Sequence, residues 1–469
     1  MQEGAAHARI DVSDQGELRR CVGNGRSGSM NRMPESFPAP AALLTGVDFR
    51  NKNLGVSALG LSALALLRNR LSAVDILDWG IGLRTAGDDI LRHAGTNSAS
   101  TTVRMHGFRQ TRKPWAADSM FLADAAIHTG LELGSGARAI GAASALLDAS
   151  GGDSFADIYG RRRFVRVSRP KWLAIAMKRP LVLLPQTYGP YKDPVMRREA
   201  ADIVAHAVCA VARDARSYEV LKELLGNRFD PSRHLVGTDM AFRLPTIDPP
   251  AEALDLVERA RAMARGAAVA GINVSGLIAN APDSWRKYGF RDDYAVTSRK
   301  LVLRLLDSGA GAVILLPHVI IDGGADTESD IHASHALRNS LEPTQRERVF
   351  IASGYEFPTE AKAIIRRLDW FTGCRLHATI GSLSNSVSTA TIAYSDKARG
   401  IFEALGVGDT VADPRVLRGD EVVEHQVRCF VARDRHRTAI AENLPGILAT
   451  ADRQMDDITR LLRTASPSR

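Results

Sequence analysis

The chain has 469 residues, 45% of them apolar and 24% charged, a globular balance long enough for two core-bearing domains and a tail. Its formal charge of +8 at pH 7 favours anionic partners without choosing among phosphate ligands, acidic lipid surfaces and nucleic acid. No run approaches the roughly 20 apolar residues of a membrane span, and Glu3, Asp11 and Asp14 stand where an export signal is basic and then apolar. Cys21, Cys209, Cys374 and Cys429 follow neither metal-ligand nor disulfide spacing, so the expected compartment is the reducing cytoplasm.

Residues 1–40 are polar, rich in Gly, Ser and Arg, without a sustained hydrophobic period, and read as a disordered leader. From position 41, short apolar runs at 43–49, 74–79, 102–108, 146–148, 181–186 and 210–213 alternate with helix-like segments, notably 54–68 and 194–208. Such runs separated by helices are the pattern of strands buried on both faces of a parallel sheet. They predict a doubly wound, Rossmann-like α/β domain over 41–245. Pro245, Pro249 and Pro250 break the pattern. Further runs at 268–274, 312–317, 349–351, 370–372 and 389–394 predict a second Rossmann-like domain over 251–408. Residues 409–469 are charged and helix-prone, with an interruption expected at Pro445. Having too few apolar positions to fold alone, they form a helical tail expected to pack across both domains.

Ligands of open parallel sheets bind at the carboxyl ends of strands. After 146–148 come Gly151, Gly152 and Asp153, which make either an ordinary tight turn or a close backbone approach to a sugar, with Asp153 accepting from hydroxyls. After 181–186, Gln186, Thr187 and Tyr188 bring an amide, a hydroxyl and a phenol onto a loop constrained by Pro185 and Pro190. Arg213 falls at the next strand tip, where a ligand carboxylate or phosphate, or an acid of the protein, would pair with it. Following the strand at 370, Arg375 and His377 stand at a helix start, where N–H groups and the helix dipole favour an anion; a structural helix-start pair is the alternative. Lys397 follows the last strand, either as a cation on the same rim or as a solvated lysine. His318 closes the strand at 312–317, before the acidic, glycine-rich loop 322–330, and either orients a ligand or satisfies a local hydrogen bond. Arg161, Arg162 and Arg163, with Arg166, Arg169, Lys171, Lys178 and Arg179, read as a solvated basic face, or as a contact for a pyrophosphate-linked lipid or anionic membrane. No HxxxH, CxxC or paired-carboxylate pattern appears, so no bound metal is predicted. Walker and dinucleotide fingerprints are absent, against an ATPase or an ordinary NAD enzyme.

In order along the chain, Asn51-Lys-Asn-Leu-Gly55, Ser150-Gly-Gly-Asp-Ser-Phe-Ala-Asp-Ile-Tyr-Gly160, Pro185-Gln-Thr-Tyr-Gly-Pro190, Ala212-Arg-Asp-Ala-Arg-Ser217, Gly271-Ile-Asn-Val-Ser275, Cys374-Arg-Leu-His-Ala378 and Tyr394-Ser-Asp-Lys397 resemble the polysaccharide pyruvyl transferase family. The resemblance spans about residues 43–406. It implies a GT-B-like arrangement of the two domains and transfer of the enolpyruvyl group of phosphoenolpyruvate to a sugar as a ketal, with phosphate released. It further implies no cofactor beyond phosphoenolpyruvate as co-substrate, a glycan or lipid-linked glycan acceptor, no nucleic acid, and work in the cytoplasm at the inner membrane face. Arg213, Arg375, His377 and Lys397 would form the phosphoenolpyruvate site, with His318 beside them. Asn53, Gly152, Asp153 and Gln186 would face the acceptor, and His377 or Lys397 would handle protons next to Arg375. Many members carry an acid after the first loop's glycine, whereas here Val56 follows Gly55. A GT-B nucleotide-sugar glycosyltransferase fits the fold equally and would release a nucleoside diphosphate. A non-catalytic glycan-binding protein would use the Gly-Gly-Asp loop and leave the Arg, His and Lys cluster without a purpose.

Overall fold

In the computed structural model, residues 41–95, 102–321, 327–395 and 397–465 are described. The expected disordered leader, 1–40, lies outside them, as do positions 322–326 of the acidic loop. The first sheet is built from β1 (Ala42–Thr45), β2 (Val74–Asp78), β3 (Leu83–Thr85), β4 (Arg104–Gly107), β5 (Leu146–Asp148), β6 (Leu181–Gln186), β7 (Cys209–Ala212) and β8 (His234–Val236). They lie in the order β3-β4-β2-β1-β5-β6-β7-β8. All neighbours are parallel except β3 and β4. β1, β5, β6 and β7 are buried at every position, which is why each reads as an unbroken apolar run. β3, an edge strand with Leu83 and Thr85 exposed, has no such run, and sequence reasoning missed it along with β8.

The second sheet joins β9 (Ala268–Asn273), β10 (Ala310–Leu315), β11 (Val349–Ile351), β12 (Trp370–Gly373) and β13 (Ser388–Thr389) in the order β11-β10-β9-β12-β13, all parallel. The run expected at 389–394 divides: β13 pairs with β12, while β14 (Thr391–Ile392) leaves the sheet to pair with β15 (Val411–Ala412).

The tail forms helices Gly419–Val431 and Arg433–Ala465. Ile440, Leu444, Met455, Ile458 and Leu462 enter the same core as Leu44, Leu59 and Ile76 of the first sheet and its helix. Phe430 packs against Trp370 under the second sheet, with ring centroids 5.6 Å apart. Contrary to expectation, Pro445 does not interrupt the helix. An interior proline costs about 3 kcal/mol, whereas each fully buried Leu, Ile or Met contributes about 1.5 to 3 kcal/mol. Such residues anchor the helix on both sides of position 445, so burial prevails.

The basic run also differs from a uniformly solvated face. It lies mostly on one helix, Gly160–Ala176, whose 3.6-residue turn distributes its cations among different faces. Arg161, Arg162 and Arg163 are exposed, whereas Lys171 is fully buried, with Nζ 2.9 Å from Asp148 Oδ2 and 2.8 Å from Ser150 Oγ.

Candidate functional site

Strand ends of both sheets open onto one cavity of about 810 Å³. Asn53, Asp153, Arg213, His318, Arg375, His377 and Lys397 all line it. Gly152 and Gln186 do not. Gln186 ends β6 fully buried, and its side-chain amide has no hydrogen-bond partner among the described residues. Its carbonyl accepts from Arg213 N at 3.1 Å. The next two residues, Thr187 and Tyr188, line the cavity instead; both are buried, and their hydroxyls likewise have no partner among the described residues.

On the first sheet's side, Asn53 caps helix Leu54–Arg68 by accepting from Gly55 N at 3.0 Å. Leu54 N donates to His318 O at 3.0 Å, tying this helix start to the exit of β10. A side chain at position 55 would collide with the site, since a Cβ there would lie 2.7 Å from His377 Nδ1. The Gly-Gly-Asp segment is a tight turn. Ser150, Gly151 and Gly152 form a left-handed turn with φ of +45°, +56° and +84°. A Cβ on Gly152 would meet Leu59 Cδ1 at 2.5 Å and Arg213 Nη1 at 3.1 Å. The turn delivers Asp153 to Lys397 Nζ at 2.8 Å and to the Tyr159 hydroxyl at 2.9 Å. Burial alone would raise the Asp153 pKa, but Lys397 and Arg213 outweigh it and hold the carboxyl below its usual range.

Arg213 pairs with Asp239, not with its neighbour Asp214: Nη1 lies 3.0 Å from Asp239 Oδ2, and both side chains are buried. Asp214 caps helix Ala215–Leu225 through Ser217 N at 2.7 Å. Asp239 was not singled out from the sequence, because the exit of β8 went unrecognised. Its Oδ1 accepts from Ala241 N at 2.9 Å, and its Oδ2 also lies 3.7 Å from His377 Nε2.

On the second sheet's side, Arg375 is the N-cap residue of helix Leu376–Leu383, and its backbone N donates to Asn273 Oδ1 at 3.2 Å. Its Nη2 donates to Asp330 Oδ1 at 2.9 Å and to the Glu328 carbonyl at 3.1 Å. Burial disfavours this charge, but Asp330 more than compensates and holds the guanidinium pKa above its usual value. Asp330, fully buried and also missed from sequence, gathers four further donors: Asn273 Nδ2, Gly276 N, His318 N and Val319 N, at 2.9 to 3.0 Å. Its visible signal was only the acidic loop and the cap Ser329 of helix Asp330–Asn339. Burial lowers the His318 pKa to about 3, and its Nδ1 has no partner among the described residues. Burial likewise lowers the pKa of His377, so both imidazoles are neutral near pH 7. Tyr288, Tyr394, Arg216 and Arg415 add to the polar lining, and none was assigned a role from the sequence. Each principal cation is thus fixed on one side by a carboxylate, an arrangement that preorganises donors toward an anion. Among the described residues, no group of three or more His, Cys, Asp or Glu could hold a metal ion, and no helix is long and apolar enough to cross a membrane.

Two largely parallel sheets flanked by helices and sharing one cleft, with a C-terminal helical region, define a GT-B-like fold. Solved structures of this class superpose on nearly the whole chain. UDP-bound MnaA of S. aureus matches with TM-score 0.54 and 12% identity, covering 91% of this chain and 99% of that one. The trehalose 6-phosphate synthase of Burkholderia multivorans gives 0.52 and 8%, covering 91% and 99%. The UDP-GlcNAc 2-epimerase of Neisseria meningitidis, bound to UDP-GlcNAc, gives 0.50 and 10%, covering 90% and 100%. Residues 53–396 match the family model of polysaccharide pyruvyl transferase. The chain belongs to the polysaccharide pyruvyl transferase family, a family of transferases.

Proposed function

We propose that the protein moves the enolpyruvyl group of phosphoenolpyruvate onto two hydroxyls of one sugar in a glycan or lipid-linked glycan, forming a ketal and releasing phosphate. The observation that carries this reading is the presence of Arg213, Arg375, His377 and Lys397 around one cavity, with each arginine backed by a buried carboxylate. Phosphoenolpyruvate carries a carboxylate and a phosphate, and two oriented guanidinium groups match that pair.

In the reaction, a proton adds to the methylene carbon, which becomes a methyl group. The adjacent carbon takes positive charge, eased by the substrate's own carboxylate. A sugar hydroxyl bonds to that carbon and gives up its proton. A second hydroxyl then attacks the same carbon and loses its proton while the bond to the phosphate oxygen breaks, so that one diol and one phosphoenolpyruvate yield one ketal and one phosphate. His377, kept neutral near pH 7 by burial, is suited to take a hydroxyl proton. Lys397, held by Asp153, is the other group in reach for proton handling. Asn53 and Asp153 lie on the acceptor side, with Gly152 and Gln186 backing that wall. Neutral His318 offers a hydrogen bond to a sugar hydroxyl. The reaction needs no further cofactor, and its donor places the enzyme in the cytoplasm.

The test compares melting temperature with phosphoenolpyruvate and with UDP-sugars, then assays phosphate release with glycan acceptors. Stabilisation by phosphoenolpyruvate with acceptor-dependent phosphate release is expected. Stabilisation by a UDP-sugar with release of a nucleoside diphosphate would establish the glycosyltransferase reading instead, and glycan binding without turnover would establish a binding protein.

A further inference from the structure

The reaction makes no use of a surface beside β3 and β4. Ile81, Leu83, Trp115, Phe121 and Leu131 are each more than half exposed there, Trp115 at 73%. Scattered exposed apolar side chains are ordinary, but hydrogen bonds tie the segments that carry these five into one region. Gly107 N reaches Gly82 O at 2.7 Å and Gly82 N reaches Asp118 Oδ2 at 3.1 Å, joining the turn of Ile81 and Leu83 to the loop of Trp115. That loop runs into helix Met120–Thr129, whose first turn holds Phe121. Beyond Leu131 the chain returns, and Ser135 N donates to Ala117 O at 2.6 Å.

Cations accompany the apolar groups. Arg112 and Lys113 project from the Trp115 loop, and Arg161 and Arg162 begin helix Gly160–Ala176. That helix packs on helix Met120–Thr129, where Arg169 Nε meets Asp124 Oδ1 at 2.6 Å, and Arg166 lies 4.2 Å from the centroid of the Trp79 ring. All four cations are exposed, and among the described residues none is paired with a carboxylate. Asp118 and Asp124 are engaged by Arg109 and Arg169, which leaves Glu132 as an exposed acid at the rim. Along the chain the patch leads to the cavity: Ile158 and Tyr159, three and two residues before Arg161, are exposed and line it.

We propose that this surface docks on an anionic lipid bilayer, with Trp115 and Phe121 at headgroup level and the four cations against acidic headgroups. Aromatic and aliphatic side chains among arginine and lysine are the chemistry of interfacial binding. A second copy of the chain is disfavoured as occupant, since a two-fold contact would bring this cluster of like charges against itself. Docking would present the cavity mouth to the membrane surface, where a lipid-linked acceptor carries its sugar. That last connection rests on the pyruvyl-transfer reading, and the docking itself does not.

The experiment sediments the full chain with vesicles of phosphatidylcholine alone and of phosphatidylcholine mixed with phosphatidylglycerol. The chain is expected to pellet with the mixed vesicles, to be released by added salt, and to stay in solution with phosphatidylcholine. Arg112→Gln with Lys113→Gln should weaken binding about 25-fold, from about fivefold per cation. Trp115→Ala with Phe121→Ala should weaken it roughly tenfold or more. Both double variants should melt like the wild type and retain calorimetric binding of phosphoenolpyruvate. Absence of pelleting with anionic vesicles, or pelleting unchanged in both variants, would overturn the proposal. So would a dimer, seen by velocity sedimentation, that the same substitutions dissolve. Vesicle binding without phosphoenolpyruvate binding would tell against the reaction and leave the docking standing.

Discussion

Asp239 Oδ2 stands 3.0 Å from Arg213 Nη1 and 3.7 Å from His377 Nε2, so one buried carboxylate holds a cation on one side and faces the imidazole on the other. Burial pushes the His377 pKa down, Asp239 opposes that shift and Arg213 reinforces it. Asp239→Asn keeps the shape and removes the opposing charge, leaving Arg213 unbalanced, so the His377 pKa should fall further. If His377 accepts a proton, the acid limb of kcat/KM for phosphate release should move to lower pH. A limb that stays in place would separate Asp239 from the chemistry.

Lys171 and Asp148 form a buried pair beneath the left-handed turn that carries Asp153. Removing one member leaves an uncompensated charge, at a cost of about 3 to 5 kcal/mol. Lys171→Met should therefore lower the melting temperature strongly. Pairing it with Asp148→Leu should recover part of the loss, because the stranded carboxylate is gone. A single variant as stable as the wild type would contradict this account.

The parallel strands were legible because burial on both faces leaves an unbroken apolar run. Edge strand β3, half in solvent, leaves no such record. Site residues were legible where a strand ends and a helix or turn begins, as at Arg213 and Arg375. Asp239 and Asp330 were not, because their roles are written in other segments: Asp330 becomes a hub only when Asn273, His318 and Arg375, distant along the chain, fold around it. Lys171 misled because a run of cations reads as one face until the helix turns one of them inward. Gln186 misled by a single step, since the residues presented to the cavity follow it.

Gly55 separates helix propensity from site geometry. Gly55→Ala should favour helix Leu54–Arg68 by up to about 1 kcal/mol, yet its Cβ would lie 2.7 Å from His377 Nδ1 and displace the ring. The melting temperature should hold or rise while kcat falls by roughly tenfold to a hundredfold. Unimpaired turnover would show that the position of His377 is not critical.

Burial lowers the pKa of His93 and His234 to about 4 and that of His318 to about 3. Unfolded histidines titrate near 6.5. The folded chain keeps these three neutral while the unfolded chain takes up protons, so stability is full above about pH 6.5 and is lost as pH falls toward the folded values. Each contributes up to about 1.4 kcal/mol per pH unit. Melting temperature should be flat above pH 7 and fall below pH 6, less steeply in His234→Gln. A flat profile down to pH 4.5 would refute the assignment.

Arg375→Ala tests the proposed anion clamp most directly. An exposed arginine contributes little, whereas this one has a side chain only 11% exposed, is held by Asp330 and lines the cavity. Asp330 keeps its four other donors in the variant, so the fold should survive. Loss of one preorganised charged donor should cost about 2 to 4 kcal/mol of transition-state stabilisation, a fall of orders of magnitude in phosphate release. Arg375→Lys, which keeps the charge without the planar fork, should recover only part of it and guards against a folding artefact. His377→Ala should impair turnover at least as much while weakening phosphoenolpyruvate binding less, because a proton carrier matters mainly in the transition state. Calorimetric binding of phosphoenolpyruvate and phosphate release with a glycan acceptor, measured on all three variants, separate the two roles. Turnover like the wild type in Arg375→Ala would remove the donor site from this cavity, whatever the fold.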